Sequence, residues 1–305
     1  SKSSNIGKAH GEEWAVKRRN GTYMDSYSTK EDPLWNQCVW HPGWRDYLST
    51  RCADLVRETG CDGVYLDEGG TDLGAYWCWR DDHSHEVPGC RQTGFLELCR
   101  ETRRKLPAKA VLYTEHAPAD VVIPYLDGAY ITALGRSDVD VTPGYVHIHR
   151  FAFPDFKLLP ITCAGSLSHG IWDGLRYSMF NGAALYSLSW GHEPEAFELT
   201  RKINTILTEH EDAFLTMQPE PLVDTLVRGV LCNRFPGEQE TIWTLWNGGW
   251  QQFQGAVLRV PHQAGMVYSD LWHGRDLAPR VEDGHAIIEQ DLGARSIGVI
   301  CQIRH

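Results

Sequence analysis

The sequence predicts an α/β fold, namely a (β/α)8 barrel that lacks its first strands, followed by a C-terminal antiparallel β-sandwich. Over residues 1–218, segments with helical spacing of apolar residues alternate with short apolar strands, which is typical of parallel βα units. From about Pro219 onward the segments become short, β-rich and separated by turn sequences, as in a sandwich of roughly 85 residues. We therefore expect a barrel domain over 1–218 and a sandwich domain over 219–305.

The individual elements follow from apolar spacing and from helix start and stop residues. Over 41–60, Pro42 suits the first turn of a helix and Gly60 suits its end. The apolar run Val64-Tyr65-Leu66 predicts the strand that follows, and the same reasoning extends to the later segments. The further predicted helices are 94–106, 174–181 and 199–214, and the further predicted strands are 110–115, 128–134, 157–164 and 183–189.

The count of barrel strands falls short of eight. Five strands are predicted in the first 218 residues, with a sixth at 22–27, whereas a closed barrel of this type needs eight. The sequence therefore resembles a barrel entered near its third strand. We expect either a fragment of a longer protein or a barrel completed by a missing N-terminal segment or by a partner chain.

Composition excludes several classes of function. The chain has 305 residues, of which 42% are apolar and 23% charged, which predicts a globular protein. A net charge of −11 argues against nucleic acid or an anionic membrane as partner, and no apolar run approaches a bilayer span. Nine cysteines leave at least one unpaired, which favours a reducing compartment. No secretory signal is present, so the compartment is cytoplasmic if the start is native and is otherwise left open.

Two acidic residues stand where predicted strands end. Asp67 follows the strand 64–66, and Glu115 ends the strand 110–115. Functional residues of a (β/α)8 barrel lie at the carboxyl ends of its strands. A retaining glycosidase needs two carboxylates about 5–5.5 Å apart, one as nucleophile and one as acid/base. Asp67 and Glu115 are therefore the candidate catalytic pair, against the alternatives of a helix cap or a loop salt bridge.

Three stretches strengthen this interpretation through a family resemblance. The runs HPGWRDYLSTRCADLVRETGCDGVYLDEGG, CWRDDHSHEVPG and LYTEH resemble retaining glycoside hydrolases. They are similar to a bacterial family related to the endo-α-N-acetylgalactosaminidases (glycoside hydrolase family 101) and to the α-amylase superfamily. The resemblance covers about residues 35–190 and implies that Asp67 is the nucleophile and Glu115 the acid/base. It also implies a β-sandwich after the barrel, but the substrate does not transfer with the motifs. The hypothesis of a glycoside hydrolase adds an α-linked carbohydrate as substrate and requires no cofactor.

The chain departs from this pattern by lacking the first strands and by having Glu68 after Asp67, and a related clan offers a competing assignment of the acid. Glu68 directly follows Asp67, and because strand side chains alternate, we expect Glu68 to orient a neighbour or to bind sugar hydroxyls. In the α-galactosidase-like clan the acid is instead an aspartate after the sixth strand, which would make Asp138 or Asp140 the acid. Glu115 is preferred because it ends a strand directly.

The loop 76–90 carries a second set of functional candidates. Trp77 and Trp79 are expected to stack on sugar rings, and His83 and His85 to bind sugar hydroxyls. Two alternatives stay open: zinc bound by Cys78, His83, His85 and Cys90, and a disulfide between the two cysteines. We assign no metal here, because the spacing is not that of a usual zinc finger.

Further residues are placed near the same barrel mouth. The alternatives for them are a structural histidine, a salt bridge, a helix cap or a core aromatic residue. Asp173, for example, either stabilises positive charge on the sugar or caps the next helix. The remaining candidates for substrate binding are His116, Arg150, His169, Trp172, Asp173 and Trp190.

Three functions are compatible with these residues. The first is a retaining glycoside hydrolase that uses double displacement, for which Glu115 needs a pKa raised by its surroundings and by the Asp67 charge. The second is a carbohydrate-binding protein without catalysis, or a fragment of a larger glycosidase. The third is a metal-dependent hydrolase built on the Cys/His loop. The sequence favours the first.

Overall fold

The computed structural model divides the chain into two compact units, Ser1–Ala129 and Tyr130–His305. The boundary predicted between residues 218 and 219 lies inside the second unit, and that division remains a prediction. None of the described helices is both long and apolar enough to cross a membrane. The structure describes residues 1–25, 28–31, 33–67, 69, 77–131, 146–162, 170–187 and 194–304.

The first unit alternates helices with short parallel strands. Strand β1 pairs with β2 in parallel, and β3 follows β2 in the same sheet and ends just beyond the unit. In chain order its elements are α1 (Asn5–Trp14), α2 (Pro42–Thr59), β1 (Gly63–Leu66), α3 (Arg91–Lys105), β2 (Val111–Glu115), a 3-10 helix (Asp120–Tyr125) and β3 (Gly128–Ile131).

Helix α2 begins and ends where its sequence indicates. The His41 imidazole accepts a hydrogen bond from the Gly43 amide, Pro42 occupies the first turn, and Gly60 adopts a left-handed backbone with φ of 72°. Such a φ costs glycine little and most other residues much more. The buried face of the helix carries Ser49, Cys52, Ala53 and Val56, at helical spacing.

Buried side chains of α3 hold that helix against the sheet and α2. Phe95 and Leu98 are almost fully buried, and each burial contributes about 2 kcal/mol. The carboxylate of Asp127 accepts a hydrogen bond from the Leu112 amide at 2.7 Å and forms an ion pair with Arg103 on α3. Asp127 therefore ties the start of β3 to the preceding strand and helix.

The second unit contains four further helices and ten further strands among its described residues. Strands β4 and β5 pair in parallel, and all later strand pairs are antiparallel. In chain order they are α4 (Ile148–Ala152), β4 (Lys157–Thr162), α5 (Gly170–Phe180), β5 (Tyr186–Ser187), α6 (Pro194–Glu209), α7 (Glu211–Phe214), β6 (Val230–Pro236), β7 (Glu240–Asn247), β8 (Phe253–Pro261), β9 (Met266–Asp270), β10 (Arg275–Leu277), β11 (Arg280–Glu282), β12 (His285–Leu292) and β13 (Ile297–Arg304).

The antiparallel strands form two sheets that share one core. One sheet has the order β10-β9-β13-β7-β6 and the other β11-β12-β8. Buried residues of both sheets, among them Trp243, Val257, Ile288 and Ile300, belong to a single apolar cluster. Short strands separated by turns agree with the sequence pattern after Pro219, whereas β7 and β13 each bury six consecutive residues rather than alternate ones.

Side chains of the antiparallel sheet cap the end of α5. The carbonyl of Phe180, the last residue of the helix, accepts hydrogen bonds from Asn233 at 2.9 Å and Thr244 at 2.6 Å. The Phe180 ring packs edge-on against Trp246 at 5.5 Å. These buried contacts satisfy a helix-terminal carbonyl, and they explain why the helical and antiparallel segments form one compact unit.

Several predicted elements differ in extent from the observed ones. Helix α5 begins four residues before the predicted start at 174, and the predicted helix 199–214 is divided at His210 into α6 and α7. The strand predicted at 22–27 is wrong over its described residues, where Tyr23 forms an isolated bridge with Lys17. Helices α1 and α4 were not predicted from the sequence.

Burial of His147 makes stability depend on pH. Desolvation, and secondarily His149, lowers the pKa of His147 from 6.5 to about 4. The unfolded chain then binds a proton below pH 6.5 that the folded chain does not. We therefore expect stability to fall by about 3 kcal/mol between pH 6.5 and 4 from this residue. Urea unfolding of His147→Gln should lose this part of the slope, whereas His10→Gln, at an exposed site, should retain it.

Candidate active site

The carboxyl ends of β1 and β2 place Asp67 beside Glu115. The two strands run parallel in a register that pairs Leu66 with Thr114, so the next residues along are Asp67 and Glu115. The Thr114 hydroxyl donates a hydrogen bond to the Leu66 carbonyl at 3.3 Å, which joins the two strand ends. Because neighbouring strands lie about 4.8 Å apart, the two acids start from adjacent positions.

Alternation along the strands puts the two acids on one face. Leu66 and Thr114 are buried, as are the residues two positions before them, whereas Tyr65 is 45% exposed and Tyr113 is half-buried. Asp67 and Glu115 follow in the alternation on the side of the two tyrosines. Asp67 is exposed and the Glu115 side chain is 14% exposed, so the two carboxylates have different surroundings.

The chain leaves β1 through a tight passage at Gly69. A Cβ atom at this position would lie 2.4 Å from the Thr114 hydroxyl and 2.8 Å from the Phe95 ring. Glycine is therefore required at this position, two residues after Asp67, for close packing against β2 and α3. The sequence suggests a flexible turn at this position; the structure shows a steric reason for the glycine.

His116 has an unusual backbone beside Glu115. Its φ is 60°, a left-handed conformation that non-glycine residues adopt infrequently. The side chain is 12% exposed, and its Nε2 lies 3.9 Å from Glu115 Oε1. A strained residue held at the end of a strand, with its imidazole against a candidate acid, is a feature common at functional sites.

Asp67 also lines a cavity of about 600 Å³ within the first unit. Aromatic side chains from α1, α2 and the segment between them form much of its wall. Among the described residues that line it, none belongs to β2, so the cavity reaches the candidate pair only through Asp67. Its aromatic residues are Trp14, Trp35, Trp40, Trp44, Tyr47, Tyr65 and Phe95.

The loop after β1 presents two tryptophans at the surface. Trp77 is 45% exposed and Trp79 is 37% exposed, with Arg19 above the Trp79 ring at 5.4 Å. The Trp79 amide donates to the Lys17 carbonyl at 2.9 Å, which fixes the backbone of the loop. Both rings are accessible for stacking, as their predicted role requires.

His83 and His85 do not face an open sugar site. They point toward two buried cysteines, Cys38 and Cys78, and His83 itself is buried. The ligand atoms of these four residues lie within 4.8 Å of one another, a grouping that could hold a metal ion. The assignment of His83 and His85 to sugar hydroxyls is therefore corrected.

The alternatives that used Cys90 are also corrected. Cys38, and not Cys90, is the fourth member of the group, and Cys78 and Cys90 are both free rather than joined in a disulfide. Sequence spacing could not identify Cys38, because it lies 40 residues before Cys78 and the two meet only through tertiary packing.

Arg150 is a structural residue and not a group at a mouth. It is buried, and its guanidinium donates to the carbonyls of Gly182 at 3.2 Å and Phe214 at 2.6 Å. The Phe235 ring lies 5.2 Å away. Desolvation lowers the pKa of Arg150 to about 10, which leaves it charged at neutral pH. These contacts remove it from the candidate substrate residues.

Asp173 neither caps α5 nor presents a free carboxylate. It lies in the first turn of that helix, where its oxygens pair with Arg176 at 3.1 Å and Arg295 at 2.9 Å. The ion pairs anchor α5 to the loop before β13, so the predicted roles of Asp173 are replaced by a structural one. Trp172 beside it is half-buried. Glu68, His169, Trp190 and the alternative acids Asp138 and Asp140 lie outside the described residues.

Comparison with known families gives a match over less than half of the chain. Residues 1–144 match a family described as "Domain of unknown function (DUF6259)". A search of the curated proteins gives no match. The matched segment includes β1, β2 and both acids of the candidate pair.

Solved structures of glycoside hydrolases share the fold. A noncanonic maltogenic α-amylase from Thermotoga neapolitana is 14% identical with a TM-score of 0.60, over 98% of this chain and 74% of that one. An α-amylase from Geobacillus thermoleovorans, complexed with acarbose, is 12% identical with a TM-score of 0.59, over 97% and 73%. The galactosidase domain of an α-galactosidase–sucrose kinase is 12% identical with a TM-score of 0.59, over 100% and 42%. At these identities the likeness establishes a common α/β fold with antiparallel sheets.

Proposed function

We propose that this chain carries the catalytic centre of a retaining glycoside hydrolase that acts on an α-linked carbohydrate. The observation that carries the proposal is the register of β1 and β2, which continues into Asp67 and Glu115 on one face of neighbouring parallel strands. Adjacent strands about 4.8 Å apart suit the carboxylate separation of about 5–5.5 Å that a retaining mechanism uses.

The two carboxylates take different roles because their surroundings differ. Exposed Asp67, as the carboxylate, attacks the anomeric carbon and forms a covalent glycosyl ester. Glu115, mostly enclosed and next to His116, donates its proton to the leaving glycosidic oxygen. Glu115 then takes a proton from water, and the resulting hydroxide displaces Asp67. Two inversions at the anomeric carbon give net retention.

Fold and substrate class are proposed from the same evidence. The α-amylases and the galactosidase domain that share the fold are named for enzymes of α-linked sugars, which supports an α-glycoside here. We infer that β1 to β5 belong to a (β/α)8 barrel and that the two antiparallel sheets form the β-sandwich that follows it. Exposed Trp77 and Trp79 supply stacking surfaces in the loop after Asp67.

A second assignment of the acid keeps the same nucleophile. The likeness to a galactosidase domain supports it, because in the α-galactosidase-like clan an aspartate after the sixth strand is the acid. Asp138 or Asp140 would then protonate the leaving group, and Glu115 would hold His116 and the substrate.

The stereochemistry of turnover tests the proposal. Aryl α-glycosides of glucose, galactose and N-acetylgalactosamine are incubated with the protein, and the first-formed anomer is followed by proton NMR. We expect the α-anomer to be released first, before mutarotation. Release of the β-anomer would contradict the retaining mechanism. Binding of oligosaccharides by calorimetry without turnover of any glycoside would instead identify a non-catalytic carbohydrate-binding protein.

A further inference from the structure

Four metal-ligating side chains converge in the first unit, and two of them, Cys38 and Cys78, line the same cavity as Asp67. Cys38 precedes α2, and Cys78, His83 and His85 lie in the loop between β1 and α3. One ligand atom from each lies within 4.8 Å of all the others, and the first three residues are buried. Cys78 Sγ and His83 Nδ1 are 3.6 Å apart.

Backbone carbonyls fix which nitrogen of each histidine is free to bind. His83 Nε2 lies 2.9 Å from the Glu13 carbonyl, and His85 Nδ1 lies 2.8 Å from the Glu86 carbonyl. A carbonyl only accepts, so each of these nitrogens carries the proton. The lone pairs of His83 Nδ1 and His85 Nε2 are left for the cluster. This outer-shell pattern is what metal-binding histidines show.

One of these atoms has no other use. His85 Nε2 is buried and receives no hydrogen bond from any described residue. A buried acceptor without a partner is destabilising, unless something in the cluster satisfies it. The His85 ring packs closely on the backbone of Gly89, so closely that an added Cβ atom on this glycine would lie 2.5 Å from the imidazole.

The two thiols also suit a cation. Cys38 and Cys78 are each 2% exposed, and their sulfur atoms lie within 4.8 Å of each other. Two thiolates buried at this separation become stable only when a positive ion compensates both.

We propose that Cys38, Cys78, His83 and His85 bind one structural Zn²⁺ ion. Zn–S bonds of about 2.3 Å and Zn–N bonds of about 2.0–2.1 Å at tetrahedral angles separate sulfur from nitrogen by about 3.6 Å. The observed contact between Cys78 and His83 has this length. Two thiolates and two imidazoles favour zinc over the oxygen-seeking ions Mg²⁺ and Ca²⁺.

The geometry assigns the ion a structural role. Four protein ligands fill a tetrahedral shell and leave no open position for water or substrate, in contrast to catalytic zinc. The ion would join the segment before α2 to the loop that follows Asp67 and Gly69. Arg80 in that loop already donates a hydrogen bond to the Glu12 carbonyl in α1 at 2.8 Å. The metal would therefore hold the loop at a second point.

Two simpler explanations compete with zinc. Buried cysteines behave as small apolar residues, and Cys38 and Cys78 do pack with Val16, Met24 and Trp40. That explanation satisfies His83 Nδ1, which can accept a hydrogen bond from the Cys78 thiol, but it leaves the buried lone pair of His85 Nε2 without a partner among the described residues. A Cys38–Cys78 disulfide is the other alternative, and the two thiols are free in this structure.

Metal content of the purified full-length chain tests the proposal. We expect about one zinc ion per chain by inductively coupled plasma mass spectrometry. Replacement by Co²⁺ should give the intense visible bands of a tetrahedral site and a thiolate charge-transfer band. Chelation should lower the melting temperature by roughly 5–15 °C.

Matched variants distinguish this site from its alternatives. Cys38→Ser and His85→Gln should each lose the zinc and the cobalt spectrum, and chelator should then have no further effect on melting. Cys90→Ser should behave as the parent protein. If Cys38→Ser fails to fold, the His85→Gln protein and the cobalt spectrum of the parent decide.

Three results would overturn the site. They are a reduced parent protein with neither zinc nor a cobalt spectrum, a Cys38–Cys78 disulfide in protein purified without oxidant, and loss of metal in Cys90→Ser with retention in Cys38→Ser. None of these depends on glycosidase activity, so failure of the zinc site and failure of the proposed function are distinguishable.

Discussion

Asp67→Asn should lower kcat on any glycoside that the parent protein cleaves by at least about 10³-fold. An amide cannot form the glycosyl ester, so the pathway through a covalent intermediate is closed. The register of β1 and β2 predicts no other change, because Asp67 follows the last paired residue of its strand and is exposed. Steady-state kinetics and a melting curve measure the two effects separately.

Asp62→Asn is the matched control for this variant. Asp62 is also exposed and directly precedes β1, at the opposite end of the strand from Asp67. It should retain near-parental kcat and KM. Unchanged turnover in Asp67→Asn would contradict the assignment of Asp67 as nucleophile, whether or not Glu115 is the acid/base.

Glu115→Ala should lower turnover to an extent that depends on the leaving group. A poor leaving group needs protonation by the acid/base, whereas a good one departs without it. We expect turnover of unactivated sugars to fall by about 10²–10⁴-fold, and aryl glycosides with acidic phenols to be affected much less in the first step. Added azide should restore turnover and yield the glycosyl azide with retained configuration. In Asp67→Ala, azide should give the opposite anomer.

The same variant separates the two assignments of the acid. If Asp138 or Asp140 is the acid, Glu115→Ala should depend on the leaving group as the parent does. Asp138→Ala or Asp140→Ala should then show the azide rescue. Among variants of these three acids, glycosyl azide of retained configuration from Glu115→Ala alone would support the assignment made here.

Local sequence predicts the strand ends and the helix α2 well because their causes are local. Pro42 and Gly60 specify the start and end of the helix through backbone geometry alone. The apolar run before Asp67 specifies a strand, and alternation then determines which of its side chains share a face. The pairing of Asp67 with Glu115 needed one further step, the parallel register of successive strands.

Tertiary contacts decide the residues for which sequence reasoning failed. Cys38 joins the Cys/His cluster across 40 residues, and no spacing rule connects it with Cys78. Asp173 resembles a helix cap in sequence, but two arginines hold its carboxylate, one of them 122 residues later. A charged residue predicted to line the barrel mouth can instead form ion pairs or hydrogen bonds inside the fold. Only its burial in the structure distinguishes a structural residue from a substrate-binding one.

Arg150 provides the sharpest test of that distinction. Arg150→Met should destabilise the protein by about 3 kcal/mol in urea unfolding, because two charge-assisted hydrogen bonds to backbone carbonyls are lost. Arg150→Lys should recover only part of this loss, since one ammonium group cannot reach both the Gly182 and Phe214 carbonyls in the geometry of the guanidinium.

Substrate kinetics complete the test of Arg150. KM of the folded variant should match that of the parent, because the side chain is buried and donates to the carbonyl of Gly182, just after α5, and to that of Phe214 at the end of α7. Arg201→Met is the matched control, since Arg201 is exposed on α6 and pairs only locally with Glu198. It should change stability by less than about 0.5 kcal/mol. A raised KM in Arg150→Met at unchanged stability would return Arg150 to the substrate site, and would mean that its contacts to the two carbonyls are dispensable.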